Sequence, residues 1–290
     1  MDNPYLPSDW DLMEIREIIP HHFFLTLAPS ASVTFPAFRP GQFFQLSLPG
    51  VGEAPISISS PPTRPGTLEM CVRRVGRLTG AVSRLKRGDR VGLRGPLGNG
   101  YPLELIRGRD LVILAGGLGM VPLRSLMMHV ADTPREYGNI TVLYGARTEG
   151  ELLFTDELFR LGARRGIHVE LIVQENTGDS GYRMRFGSRV GFVTDLIQGV
   201  DGNPAESFVA MCGPPAFYRY AVKELLTRGY SKGLIYLSLE RRMECGIGKC
   251  GHCSVGYRYT CVEGPIFNYW DAFNTPEMVE MREGDPWINS

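Results

Sequence analysis

Seven prolines stand between positions 36 and 65, at Pro36, Pro40, Pro49, Pro55, Pro61, Pro62 and Pro65. Each removes a backbone donor and clashes with the preceding turn, so no helix can run through this stretch. Short apolar or alternating runs recur around them, at Phe23–Leu27, Gln42–Leu48, Ile56–Ser59, Leu68–Arg73 and Arg90–Leu93. Strands of this length, separated by Gly and Pro, predict a small antiparallel β barrel of about six strands.

The pattern changes at Asp110. Leu111–Ala115 is continuously apolar, as a strand buried on both faces must be. A glycine-rich turn leads into a helical pattern at Leu123–Val130. Strand patterns follow at Ile140–Tyr144, Val169–Val173, Phe208–Met211 and Ile235–Leu239, with helical patterns at Leu152–Leu161 and Phe217–Thr227. Alternating strands and helices predict a doubly wound parallel sheet. The expected organisation is a barrel over residues 1–105, an α/β domain over 106–238, and a cysteine segment with an aromatic tail over 239–290. A chain of 290 residues suits two domains and an appendage.

Of the six cysteines, Cys71 and Cys212 stand alone, and Cys245, Cys250, Cys253 and Cys261 crowd together. Clustered reduced thiols point to a metal or a cluster. The first three have the C-x4-C-x2-C spacing of plant-type [2Fe–2S] loops, with a fourth cysteine following. Four thiolates must converge on two irons while the backbone wraps closely around them. Gly246, Gly248 and Gly251 give that freedom, because glycine takes positive φ at little cost. Two alternatives stay open: structural zinc, which prefers two separated C-x2-C pairs where this chain has one, and unligated or disulfide-bonded cysteines. Four cysteines complete a ligand set without His252, whose side chain is expected to face solvent.

Gly117-Leu118-Gly119-Met120-Val121-Pro122 lies between a predicted buried strand and a helix. Such a turn lets backbone approach a pyrophosphate, and the helix N-terminus offers unpaired N–H groups to it. Pro122 suits the first helical turn, where its missing N–H costs nothing. The plain alternative is a tight turn without a ligand. Cys212-Gly213-Pro214-Pro215 has the same strand-to-helix setting. Alone, Cys212 reads as a small buried filler; at the carboxyl end of a parallel strand it sits where ligands bind.

Lys plus Arg and Asp plus Glu are equal at 31 each, so no net field draws nucleic acid or an anionic membrane. No apolar run approaches the roughly 20 residues of a membrane span. Met1–Trp10 lacks the basic flank and apolar core of a signal peptide, so a cytoplasmic chain is expected. His21, His22, His129 and His168 are scattered, and no acid–base dyad or nucleophile is evident.

Taken together, these motifs resemble the ferredoxin–NADP reductase superfamily over nearly the whole chain. Glu244–Cys253 and Cys261–Phe267 resemble its iron–sulfur branch: hydrogenase or sulfhydrogenase gamma subunits, and the electron-transfer subunits of anaerobic sulfite reductase and of dihydroorotate dehydrogenase. The resemblance implies a flavin-binding barrel, a nucleotide-binding α/β domain and a small C-terminal [2Fe–2S] segment. It implies FAD along Ala54–Ser60, including Pro55, Ile56, Ser57 and Ser59, with Ser57 beside flavin N5. Many members have Arg where Ala54 stands and Tyr where Ile56 stands. Arg73, Thr79 and Gly80 are the substitutes expected for the phosphates, with Thr79 capping a helix that opens at Ala81. The resemblance also implies a nicotinamide nucleotide across Gly117, Gly119 and Pro122 and across Cys212, Gly213 and Pro214. Cys212 would abut the nicotinamide where hydride passes to the flavin. Tyr144–Arg147 would border the adenosine, and Gly95–Gly100 would link the two domains. Gln174-Glu175 stands where NADP-using relatives have Ser-Arg, which favours NAD(H) over NADP(H); Arg147, Arg183 and Arg185 point the other way. The implied activity is electron transfer between NAD(P)H and an iron–sulfur or metal-containing catalytic subunit of a hetero-oligomer. A redox or iron sensor on the same scaffold is the alternative. Phe267, Tyr269, Trp270 and Phe273 would face a partner or pack within the chain.

Overall fold

Trp10 and Leu12 point to one face of the first strand, β1 (Ser8–Ile19), and a register shift between Leu12 and Glu14 returns Ile15 to that same face. The bulge breaks the alternation, which hides this 12-residue strand from a period-two reading. The computed structural model describes residues 3–178 and 189–273. These residues form two compact units. One holds the chain up to Tyr101, Arg124–His129 and Leu239–Ile266; the other holds Pro102–Leu123, Val130–Ser238 and the chain from Phe267.

The first unit continues with β2 (His22–Pro29), β3 (Phe43–Leu48), β4 (Gly52–Ser57), β5 (Leu68–Arg73), α1 (Arg77–Val82) and β6 (Arg90–Leu97). Its six strands pair antiparallel in the order β4-β3-β6-β1-β2-β5. An Ile58–Met70 bridge and the Ser59 N–H donating to the Glu69 carbonyl (2.8 Å) join the two edges into a barrel. Its interior is filled by Trp10, Leu25, Phe44, Leu46, Ile58 and Met70, among others. β4 starts and ends earlier than the sequence suggests, and Pro55 is tolerated there because β4 is an end of the ladder. The helix expected at Ala81 opens at Arg77, because extended Gly76 takes the N-cap position. Thr79 is therefore inside the helix, and its Oγ1 accepts the N–H groups of Val75 (3.0 Å) and Gly76 (2.9 Å).

The second unit contains α2 (Leu103–Ile106), β7 (Leu111–Gly116), α3 (Met120–Asp132, apart from its Arg124–His129 segment), β8 (Ile140–Ala146), α4 (Thr155–Gly162), β9 (Ile167–Val173), β10 (Phe208–Cys212), α5 (Pro215–Thr227) and β11 (Ile235–Ser238). A short hairpin in the cysteine segment, β12 (Ser254–Val255) and β13 (Arg258–Tyr259), precedes β14 (Ile266–Asn268) and α6 (Tyr269–Phe273). The large sheet has the order β14-β11-β10-β7-β8-β9. Every residue of β7, β8 and β10 is buried, which is why these strands read as unbroken apolar runs. α4 begins at Thr155, later than expected, because Phe154 takes a left-handed φ of 58° and Leu152 and Leu153 are buried in the preceding turn. The chain leaves β7 toward β8 on one side and reaches β10 on the other. Doubly wound sheets bind ligands at such a switch point. Among the described residues, no helix is long and apolar enough to cross a membrane.

Candidate functional site

Gly246, Gly248 and Gly251 take φ of +71°, +76° and +79°, left-handed values that turn the loop's amides inward. The N–H groups of Ile247 (3.5 Å), Lys249 (3.3 Å) and Cys250 (3.4 Å) donate to Cys245 Sγ, and that of Gly248 donates to Cys261 Sγ (3.2 Å). Amide donors around sulfur stabilise thiolate charge. The thiols influence one another: Cys245 acts on Cys250, and both Cys253 and Cys245 act on Cys261. Burial pushes the Cys261 thiol up to about 12, whereas backbone N–H groups hold exposed Cys250 below its usual range. Metal binding must displace the Cys261 proton. No three metal-binding side chains among the described residues gather round one point as a single ion would require. Four cysteines in a loop whose amides point at sulfur fit an iron–sulfur group. His252 is exposed, as expected.

The loop is seated on the barrel by residues that carried no signal in the sequence. Phe43 and Leu97 pack with Met243, Cys253 and Cys261. Asn99 Nδ2 donates to the carbonyls of Glu263 and Ile266, both at 2.7 Å, and its Oδ1 accepts the Ile266 N–H at 3.2 Å. Its own N–H donates to the Gly264 carbonyl at 2.7 Å. The Gly95–Gly100 stretch, expected as a linker, is thus also the clamp on the chain that follows Cys261.

On the strand next to β3, Pro55, Ile56 and Ser57 are half-buried on β4. Ser59 is fully buried and its Oγ has no hydrogen-bond partner among the described residues. Arg73 is exposed at the end of β5. Gly80 has open space around its Cα, with only Arg84 Nη1 at 3.9 Å from where a Cβ would stand. Thr79 is already engaged by the α1 turn. The Ser59–Ser60 segment is gripped from α3: buried Arg124 donates to the Ser59 carbonyl (3.0 Å) and to Glu69 Oε2 (2.6 Å), and Ser125 Oγ donates to the Ser60 carbonyl (2.6 Å). Cys71, also in the barrel, has its thiol pushed up to about 12 by burial and stays neutral.

In the second unit the two predicted turns meet. Gly117 has φ +52° and nothing within 4 Å of a would-be Cβ. At Gly119 a Cβ would overlap the Cys212 carbonyl, so this glycine serves the contact between the ends of β7 and β10. Pro122 stands in the first turn of α3. Gly213 donates its N–H to Tyr218 Oη (3.3 Å), and Tyr218 Oη donates to the Ser238 carbonyl, beside the buried Cys212 thiol. Pro214 caps α5. At the adjoining strand ends, exposed Arg147 lies 4.0 Å from Glu151 and 3.9 Å from Glu175. Arg183 and Arg185 lie outside the described residues. In the tail, Phe267 is buried, while Lys232 Nζ sits over the rings of Tyr269 (5.4 Å) and half-exposed Trp270 (5.0 Å). The side chain of Phe273 lies outside the described residues.

Barrel and parallel sheet have the ferredoxin–NADP reductase-like fold, and the matching relatives and domains make the chain an electron-transfer oxidoreductase subunit with an iron–sulfur segment. Residues 113–223 match the oxidoreductase NAD-binding domain, and residues 240–272 match the iron–sulfur cluster binding domain of dihydroorotate dehydrogenase B. The chain is 41% identical over 289 residues to the sulfhydrogenase 2 gamma subunit of Pyrococcus furiosus, covering 96% of this chain and 100% of that one. It is 35% identical to a probable dihydroorotate dehydrogenase B (NAD(+)) electron transfer subunit of Methanocella arvoryzae, covering 79% of each. A solved NADH-dependent reduced ferredoxin–NADP oxidoreductase, studied for flavin-based electron bifurcation, superposes with a TM-score of 0.71 at 24% identity, over 97% of this chain and 94% of that one. The chain belongs to the family formed by the sulfhydrogenase gamma subunits and the dihydroorotate dehydrogenase electron-transfer subunits.

Proposed function

We propose that this chain passes electrons between NADH and a metal-containing catalytic subunit of a cytoplasmic hetero-oligomer, using one FAD and one [2Fe–2S] cluster. The observation that carries the reading is a loop of four cysteines whose backbone amides already point at the Cys245 and Cys261 sulfurs. When bound, the flavin exchanges a hydride with the nicotinamide and the cluster carries electrons singly. The chain's own residues bind and orient. Cys245 with Cys250, and Cys253 with Cys261, each take one iron. Ser57 and the orphan hydroxyl of Ser59 supply hydrogen bonds to the flavin, Pro55 and Ile56 its apolar bed, and Arg73 with the backbone at Thr79 and Gly80 its phosphates. Gly117 and Pro122 offer the α3 N-terminus to the dinucleotide pyrophosphate, which Gly119 makes possible by letting the two turns close up. Cys212, Gly213 and Pro214 form the floor for the nicotinamide, and Arg147 borders the adenosine. A sensor without turnover would have no need of an open Gly117 approach.

The relatives named as gamma and electron-transfer subunits support the assignment to a larger complex. Native purification without oxygen is expected to yield a yellow-brown assembly with about two irons and two sulfides per copy of this chain. NADH should bleach it. A chain that elutes alone and turns over a small substrate at full rate would remove the subunit assignment.

The nucleotide preference rests on Glu175. With Glu151 it places two carboxylates within 4.0 Å of the Arg147 guanidinium, an excess of one negative charge in this cluster of described residues for a 2′-phosphate to meet. Glu175→Arg is expected to raise kcat/KM for NADPH relative to NADH by about tenfold, equivalent to ~1.4 kcal/mol. Steady-state kinetics with both nucleotides decides it; an unchanged ratio, or a wild type that already prefers NADPH, means the 2′-phosphate is recognised elsewhere.

A further inference from the structure

Gln45 is a fully buried amide on β3 with neither side-chain atom hydrogen-bonded among the described residues. Its strand neighbours Phe44 and Leu46 face the barrel core. Gln45 therefore points the other way with Phe43, toward the side where Phe43 packs against Cys253 and Cys261. There it meets Gly246, the residue next to Cys245. A Cβ on Gly246 would stand 3.3 Å from Gln45 Nε2 and 2.9 Å from Leu97 Cδ1. The Gln45 amide thus lies in van der Waals range of the loop at Gly246. Arg94, which pairs with Gln45 across the β3–β6 ladder, is held by Glu53 at 2.5 Å and by the Pro4 carbonyl at 3.2 Å. Phe43, Leu97 and Met243 are apolar. A buried amide left unmade costs about 1–3 kcal/mol, which a barrel strand does not sustain without a compensating partner.

We propose that the Gln45 side-chain amide donates its N–H to the sulfur shell of the iron–sulfur cluster beside Cys245 and so raises the cluster's reduction potential. The inference rests on the cluster reading given above. Backbone amides already serve Cys245 Sγ and Cys261 Sγ; Gln45 adds a donor from the barrel itself. A hydrogen bond to a cluster sulfur favours the reduced, more negative state, so its loss lowers the potential. Gln45 is a positioning and tuning residue, and its strand also pairs with β4 at Pro55, the proposed flavin bed. The barrel thereby touches both proposed redox groups through adjacent strands.

The test is an EPR-monitored redox titration of the intact, cluster-loaded protein with Gln45→Met, which keeps length and volume and removes the donor. The expected result is full iron content, altered g-values, an unmoved flavin potential and an about tenfold shift of the one-electron equilibrium toward the oxidised cluster, ~59 mV. Should Gln45→Met fold poorly, wild-type protein labelled with 15N in the glutamine side chains is read by pulsed EPR, and a nitrogen coupling to the reduced cluster supports the assignment. A fully loaded Gln45→Met variant with unchanged potential and g-values overturns it, as does the absence of any coupling in the labelled wild type. A wild-type chain lacking iron and sulfide would instead sink the cluster reading itself.

Discussion

Cys253→Ala is expected to strip the chain of its cluster, taking iron from about two per chain to near zero while leaving NADH-dependent flavin reduction in place. Cys253, like Cys261, is a proposed ligand with little room for a substitute. It is 2% exposed and packs with Cys261, Phe43, Met243 and Leu97 on the barrel. No water or buffer thiol can reach in to replace it. Losing it also breaks the Cys253–Cys261 pair, so one iron keeps a single protein sulfur. The nucleotide turns belong to the other unit, and the proposed flavin contacts on β4 use no cysteine. Electron transfer to a one-electron acceptor should therefore fall by at least about 100-fold with NADH oxidation by a two-electron dye preserved. Cys71→Ser is the control. Its thiol is buried in the barrel and neutral, so iron content should not change even though some stability is lost. Iron and sulfide retained in full by Cys253→Ala would show that the four cysteines are not the ligands.

The cysteine spacing, the switch-point turns and the unbroken strands were legible because each is a local pattern. Four ligands lie within one loop, and β7, β8 and β10 are buried on both faces, so their apolar runs need no context. β1 was illegible for a local reason of its own: the bulge after Leu12 changes the phase of alternation mid-strand. The opening of α1 was misplaced because Gly76 serves as its N-cap without a side chain to announce it, while Thr79, the residue that looks like a cap, turns its hydroxyl back toward Val75 and Gly76. The supports of the site were illegible for a different reason. Asn99 lies 164 residues from Glu263, Arg124 lies 55 from Glu69, and Gln45 is far in sequence from Gly246. An asparagine between two glycines reads as a turn, and an arginine in a helical pattern reads as its solvated face. Only the folded chain shows that one clamps the cluster segment and the other is a buried ion pair.

The two glycines of the nucleotide turn should lose stability to different degrees on the same added methyl. Gly119→Ala places a Cβ on the backbone carbonyl of Cys212, with no flexible side chain to give way. The ends of β7 and β10 must separate, at a cost of about 1–3 kcal/mol in an otherwise close-packed sheet. For a domain of this size that lowers Tm by roughly 3–10 °C. It also displaces Cys212 and Gly213, so NADH binding is lost with the packing. Gly117→Ala meets nothing within 4 Å, and its penalty is that of a left-handed φ of +52°, about 1 kcal/mol. If the pyrophosphate crosses this turn as proposed, the methyl occupies part of its space, so the expected change is a small drop in Tm with an about tenfold weaker Kd for NADH. Thermal melts and NADH titrations of the two variants side by side make the comparison. If Gly117→Ala binds NADH as the wild type does, the dinucleotide does not cross this turn. If Gly119→Ala melts with the wild type, β7 and β10 do not meet as closely as the Gly119–Cys212 contact requires.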